Sequence, residues 1–160
     1  MKRTQIIVLA LCAGAVALLA AAEWRRGDVV LFNATPSVPT GFYVRSDALV
    51  HEGAFVTVRA ADVAGDYAAI RHFTDTGDRF IKRVAAIAGE RVCAAGGFVM
   101  VGSRQLRRAS HDSGGRLLPN WSGCHVLRSD EVFLLGDTQD SFDSRYFGVV
   151  TLDEIEGVWT

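Results

Sequence analysis

Ser37 lies between two prolines in Thr35-Pro36-Ser37-Val38-Pro39, and Lys82 is the only lysine after Lys2 in a chain with fifteen arginines. A hydroxyl and an amine of these types can form a nucleophile and its base. A guanidinium keeps its proton in proteins, whereas a desolvated ammonium can lose one near neutral pH. If Arg79-Phe80-Ile81-Lys82-Arg83-Val84 is a strand, Phe80, Lys82 and Val84 share one face, and Arg79, Ile81 and Arg83 share the other. Lys82 would then stand among apolar neighbours, the setting that lowers an amine pKa. Proline fixes its own φ and biases the residue before it toward extended geometry, so the hydroxyl of Ser37 is held at little entropic cost. A serine needs an activating base to act as a nucleophile, and Lys82 is the candidate. The hydroxyl of Thr35 and the backbone N–H of Ser37 are placed to serve a developing oxyanion. The plain alternatives are a serine in a proline turn and a surface lysine with its charge in water.

A third block, Gly136-Asp137 through Phe147-Gly148, packs Asp137, Asp140, Asp143, Ser141, Ser144 and Arg145 beside an apolar strand. A solvated acidic loop or a calcium-binding turn would use similar residues, but a calcium loop spaces its oxygen ligands more regularly and ends on a bidentate glutamate. The other reading is a buried polar support, with Asp143 paired to Arg145 and Ser141 orienting the lysine amine.

The elements that must position these residues are mostly strands. Alternation and turn signals predict strands at Asp28–Phe32, Phe42–Arg45, Gly53–Arg59, Phe80–Ile87, Arg91–Cys93, Glu131–Leu135, Val149–Val150 and Glu154–Trp159. A hairpin is expected between Phe98–Val101 and Gln105–Leu106 across Gly102-Ser103. Ala60–Phe73 reads as the one helix of this part, weakened by Gly65. Ser110–Gly123 reads as a surface loop. The fold class is therefore mainly β.

At 160 residues, one domain of residues 27–160 is expected, behind an N-terminal segment of residues 1–26. Ile6–Ala22 is a run of 17 uncharged, mostly apolar residues after Lys2-Arg3 and before Trp24-Arg25-Arg26. A spanning helix needs about 20 such residues, with about 17 as the lower limit. The segment reads as a transmembrane anchor, and its small residues at Ala20–Ala22 also suit a cleaved signal peptide. Both readings export the rest of the chain. Cys93 and Cys124 are the only cysteines outside that segment, and in an oxidising compartment they read as a disulfide. The net charge of −1 and the scattered arginines argue against a nucleic-acid partner.

In order and content, the three blocks resemble the membrane-anchored Ser–Lys signal peptidases, the type I leader peptidases. Ser37 matches the nucleophile segment, Phe80–Val84 with Gly89-Glu90-Arg91-Val92 the lysine block, and Gly136-Asp137 through Gly148 the C-terminal signature. Within that family, Thr35–Tyr43, Asp112–Cys124 and Asp140–Arg145 are similar to the TraF-type conjugative transfer peptidases. Val38 stands where leader peptidases usually carry a methionine after the serine, and Thr138-Gln139 where housekeeping enzymes usually carry Asn-Arg.

The resemblance implies a signal-peptidase-like β domain at the bacterial cytoplasmic membrane, facing the periplasm. It implies nucleophile for Ser37, general base for Lys82, an oxyanion contribution from Thr35 and support from Ser141, Asp143 and Arg145. The implied partners are a pilin-like or secreted precursor polypeptide, the membrane and a conjugative secretion apparatus. Hydrolysis and cyclisation of the product both stay open, and no cofactor is called for.

Rival readings exist. His51, His72, His111 and His125 lie in poor contexts for a Ser-His-Asp site. A zinc site from His111, Cys124 and His125 has a spacing that fits no usual pattern, so no metal is expected. A general leader peptidase, a self-cleaving LexA-type repressor and a non-enzymatic secretion-apparatus subunit are the other classes; the repressor would be cytosolic and carry a DNA-binding segment.

Overall fold

The alternation read at Phe80–Ile87 becomes β4 (Arg79–Ala86), the strand on which the rest of the site is arranged. The computed structural model describes Gln5, residues 12–14, 28–73, Asp75 and 77–160. The anchor or signal segment expected over residues 1–26 lies outside the described residues, apart from Gln5 and residues 12–14, which are helical. Among the described residues, no helix is long and apolar enough to cross a membrane.

Before β4 come β1 (Val30–Asn33), β2 (Gly41–Ser46), β3 (Phe55–Arg59) and α1 (Ala60–Ile70). After it come β5 (Arg91–Ala95), β6 (Phe98–Val101), β7 (Arg104–Arg107), β8 (Gly123–Val126) and β9 (Glu131–Leu135). The chain closes with α2 (Ser144–Phe147), β10 (Val150–Thr151), a 3₁₀ turn at Leu152–Glu154 and β11 (Ile155–Trp159). The strands form a seven-stranded sheet in the order β1-β2-β11-β3-β4-β9-β10 and a four-stranded sheet in the order β7-β6-β5-β8. All the pairings are antiparallel, and the domain is mainly β as expected.

β4 is central, between β3 and β9, and is covered on both faces. Val84 packs with Val56, Val58 and Leu134 on one side, while Ile81 packs with Val38, Tyr43 and Trp159 on the other. Phe80 and Val84 thus lie on one face and Ile81 on the other, as the alternation predicts, and Ile81, Lys82 and Val84 are all buried. Burying each such aliphatic side chain contributes about 1.5–3 kcal/mol. A third cluster, with Phe133 and Leu135 of β9 against Val92 and Val99, joins the two sheets.

α1 is shorter than the Ala60–Phe73 expectation. Ala64 leaves helical geometry at φ −146° and ψ 39°, beside Gly65, and His72 at φ 60° ends the run. The Gly102-Ser103 hairpin forms as expected, with Gly102 at φ 56°, a left-handed value that glycine adopts without a side-chain clash. The 110–123 segment is less loop-like than expected: Leu118 is buried with Tyr67 and Tyr146, and Gly123 opens β8. Cys93 and Cys124 are directly opposed in the β5–β8 register and joined by a disulfide 31 residues apart in sequence. Closing a loop of that length stabilises by about 3–4 kcal/mol in the chain-entropy account. It also removes Cys124 as a thiolate ligand for any zinc reading.

Candidate active site

The turn that carries Ser37 is organised by Asn33, the last residue of β1 and buried. Its amide nitrogen donates to the carbonyls of Thr35 at 2.8 Å, Val38 at 3.1 Å and Pro39 at 3.1 Å. Its Oδ1 accepts the Thr35 backbone N–H at 3.1 Å and the Thr35 hydroxyl at 2.9 Å. The Tyr43 hydroxyl donates to the Pro39 carbonyl at 2.6 Å, and Val38 is buried, so the loop is pinned on both sides of Ser37. Sequence reading missed Asn33. The signal that could have found it is an asparagine two residues ahead of a turn, where its side chain readily bonds the backbone further on.

Ser37 is partly buried, and its Oγ lies 3.1 Å from Thr35 Oγ1. The Thr35 hydroxyl has a single proton. With that proton donated to Asn33 Oδ1, the Ser37 hydroxyl is the donor in the Thr35–Ser37 bond.

Lys82 is 4% exposed at the centre of β4, opposite Val56 of β3. Burial lowers its amine from 10.5 to about 8; the charges of Asp143 and Asp137 oppose this, and that of Arg145 reinforces it. Nζ lies 5.6 Å from the centre of the Phe80 ring and makes no hydrogen bond among the described residues. Ser37, Lys82, Thr35 and Ser141 line one cleft of about 490 Å³, whose remaining wall includes Leu31, Phe32, Ile81 and Phe142. The hydroxyl and the amine are thus brought to the same cleft without a direct bond between them.

β9 and the turn after it join the blocks. Arg83 pairs with Leu135 and Val84 with Leu134, and one further step of that register brings Lys82 level with Gly136. The Asp137 backbone N–H donates to the Ser37 carbonyl at 2.6 Å. A Cβ on Gly136 would overlap the Ser141 side chain and stand 2.8 Å from the Ser37 carbonyl, so only glycine lets the three segments meet. That role of Gly136 and the Asp137–Ser37 contact are long-range features that spacing alone does not reveal.

Asp143 and Arg145 sit behind the cleft, 0% and 3% exposed. Asp143 Oδ1 accepts from Arg145 Nε at 2.8 Å, and its Oδ2 accepts from Arg145 Nη2 at 2.8 Å and from the Gly136 N–H at 2.9 Å. Arg145 also donates to the carbonyls of Gln139 at 2.7 Å, Thr138 at 3.0 Å and Ser141 at 2.9 Å. The expected Asp143–Arg145 pair is present, and it holds the 136–141 turn in shape. Ser141 differs from expectation in detail: its Oγ bonds Thr138 Oγ1 at 2.9 Å rather than the lysine amine.

This arrangement offers a hydroxyl, an amine poised near neutrality and a neighbouring threonine hydroxyl in a part-apolar cleft, the parts needed for nucleophilic attack on a carbonyl. A sequence profile of the family described as signal peptidase, peptidase S26, matches residues 2–160. A plasmid transfer protein TraF from Escherichia coli is 35% identical over 166 residues, covering 92% of this chain and 89% of that protein. A second Escherichia coli plasmid transfer protein TraF is 33% identical over 156 residues, covering 90% and 86%. A signal peptidase I structure from Enterococcus faecalis V583 aligns with a TM-score of 0.42 at 20% identity, over 72% of this chain and 100% of that one. The chain therefore belongs to the S26 signal peptidase family, with plasmid transfer proteins among its homologues.

Proposed function

We propose that this chain is a membrane-anchored serine endopeptidase in which Lys82 activates Ser37 to process an exported, pilin-like precursor for conjugative transfer. The observation that carries the reading is the buried Lys82 amine, lowered to about 8, in the same cleft as the Ser37 hydroxyl. At neutral pH about a tenth of such an amine is free base, enough to serve as a general base.

In this mechanism Ser37 Oγ turns from Thr35 toward Lys82 and attacks the scissile carbonyl carbon while its proton passes to Nζ. The oxyanion that forms is met by the Ser37 backbone N–H and by the Thr35 hydroxyl, whose proton swings to it from Asn33 Oδ1. Collapse breaks the C–N bond, and the leaving amine takes the proton back from Lys82. The acyl-enzyme is then opened by water, giving a linear product, or by the precursor's own N-terminal amine, giving a ring lighter by one water. The intact mass of the processed precursor reads out which path is taken.

The membrane assignment is supported by the apolar run Ile6–Ala22 and by exposed apolar side chains on β1 and β2, including Val30, Phe32, Phe42 and Val44. The domain then works on the periplasmic side, beside a conjugative secretion apparatus. The names of the TraF relatives favour a transfer substrate over general signal-peptide removal.

The test is precursor processing in cells carrying Ser37→Ala or Lys82→Arg. Arginine keeps charge and bulk but does not give up its proton. Loss of processing with folded, membrane-associated protein is expected; normal processing by Lys82→Arg refutes the reading.

A further inference from the structure

A second cleft, of about 640 Å³, adjoins the first: Thr138 lines both. Its walls are β7, Arg83–Ala85 of β4, Glu52-Gly53 and Leu135–Gln139, with Arg145 behind. Four arginines border it, and two of them are already committed. Arg83 holds Asp137 through paired contacts of 2.9 and 2.8 Å, and Arg145 is buried on Asp143 and the turn carbonyls. Arg104 and Arg107 are exposed, and their guanidinium groups make no hydrogen bond or ion pair among the described residues. Apart from Asp137, which Arg83 neutralises, the only acid on the walls is Glu52. The cleft is thus electropositive, in contrast to the apolar side chains around Ser37.

All four residues of β7 line this cleft. Side chains alternate along a strand, so a strand borders a space with every residue only when its edge faces that space. β7 is the outermost strand of its sheet and pairs with β6 alone. Arg104 and Arg107 are three residues apart on β7, so their side chains leave opposite faces of the strand, one on each side of its open edge. An edge strand can take an extended polypeptide by main-chain hydrogen bonds, and a guanidinium fork matches a carboxylate in shape and charge.

We propose that this cleft binds a carboxylate-bearing stretch of the substrate polypeptide, laid along β7 and read by Arg104 and Arg107, beyond the residues lodged beside Ser37. The identification of the ligand as substrate rests on the peptidase reading; the binding site itself does not. The substrate would then present small or apolar residues to one cleft and acidic groups, from side chains or from a chain terminus, to the next.

Fluorescence anisotropy with the full chain in detergent, carrying Ser37→Ala so that no probe is cut, tests this. Three short labelled peptides serve as probes: one with glutamates and an amidated end, one neutral with a free C-terminal carboxylate, and one with lysines and an amidated end. The first or the second should bind and the third should not, which also assigns the carboxylate to a side chain or to a terminus. Arg104→Ser or Arg107→Ser should weaken that binding roughly tenfold, the scale of one charge-assisted hydrogen bond. Arg91→Ser, an exposed arginine outside the cleft, should leave it unchanged. Equal binding of the glutamate and lysine peptides, no binding of either carboxylate peptide, or an equal loss with Arg91→Ser overturns the proposal. Precursor processing by the wild-type protein is scored separately, so failure here and failure of the peptidase reading are distinguishable.

Discussion

Asn33 Oδ1 accepts both the backbone N–H and the hydroxyl of Thr35, at 3.1 and 2.9 Å, so a buried amide fixes the residue two positions before Ser37. The same side chain donates to three carbonyls across the turn. Asn33→Ala removes all five bonds and leaves the Val38 carbonyl without this donor in the interior. The expected cost is about 1–3 kcal/mol, the scale of one unsatisfied buried group. Precursor processing should fall roughly 10–100-fold, because a displaced nucleophile loses its alignment. Urea unfolding and a processing time course on the same preparation check both; wild-type processing by Asn33→Ala would remove Asn33 from the account.

Asn33 also marks where sequence reading stops. Strands β3, β4, β6, β7 and β9 were legible because alternation and flanking turns are local signals. β8 was not: Gly123-Cys124-His125-Val126 is short, starts with glycine and is a strand chiefly because it registers on β5. The four-residue α2 was hidden in a polar run and is held by Asp143 accepting the Arg145 N–H at 3.1 Å. Ser37 and Lys82 were singled out by residue type and local setting, and both line one cleft. The joints between their segments, the Asp137 N–H on the Ser37 carbonyl and Gly136 against that same carbonyl, are contacts about a hundred residues apart in sequence, a span that no local pattern encodes.

Arg145 spreads its donors over Asp143 and three carbonyls of the 138–141 turn. Lysine cannot reproduce a planar fork, so Arg145→Lys should lose most of these bonds and leave Asp143 poorly paired in the interior. The expected loss is about 3–5 kcal/mol of stability. Thermal unfolding followed by circular dichroism measures it, and an unchanged midpoint would mean that the turn does not depend on the pair.

Lys82 should make the fold less stable at neutral pH than an apolar residue would. Below pH about 8 the folded and unfolded chains both carry the proton, and the folded state bears the full cost of a buried ammonium. Between about 8 and the ordinary value of 10.5, the unfolded chain binds more protons than the folded one, so stability rises with pH. That difference corresponds to about 3 kcal/mol. Lys82→Met should therefore be more stable than wild type at pH 7, by up to about 3 kcal/mol, with the gap closing toward pH 10. Denaturant midpoints at the two pH values decide it: parallel behaviour of the two proteins would show that burial imposes no such penalty.

The most direct measurement is the titration of Lys82 itself, and the composition makes it simple because the chain has only Lys2 and Lys82. Protein labelled with ¹³C at the lysine ε-carbons gives two resonances, and Lys82→Arg assigns them by deleting one. The account predicts that the Lys82 resonance titrates near 8, well below the ordinary value of 10.5. If Lys82 stays charged up to the ordinary value of 10.5, no base stands beside Ser37 at neutral pH and the mechanism is wrong.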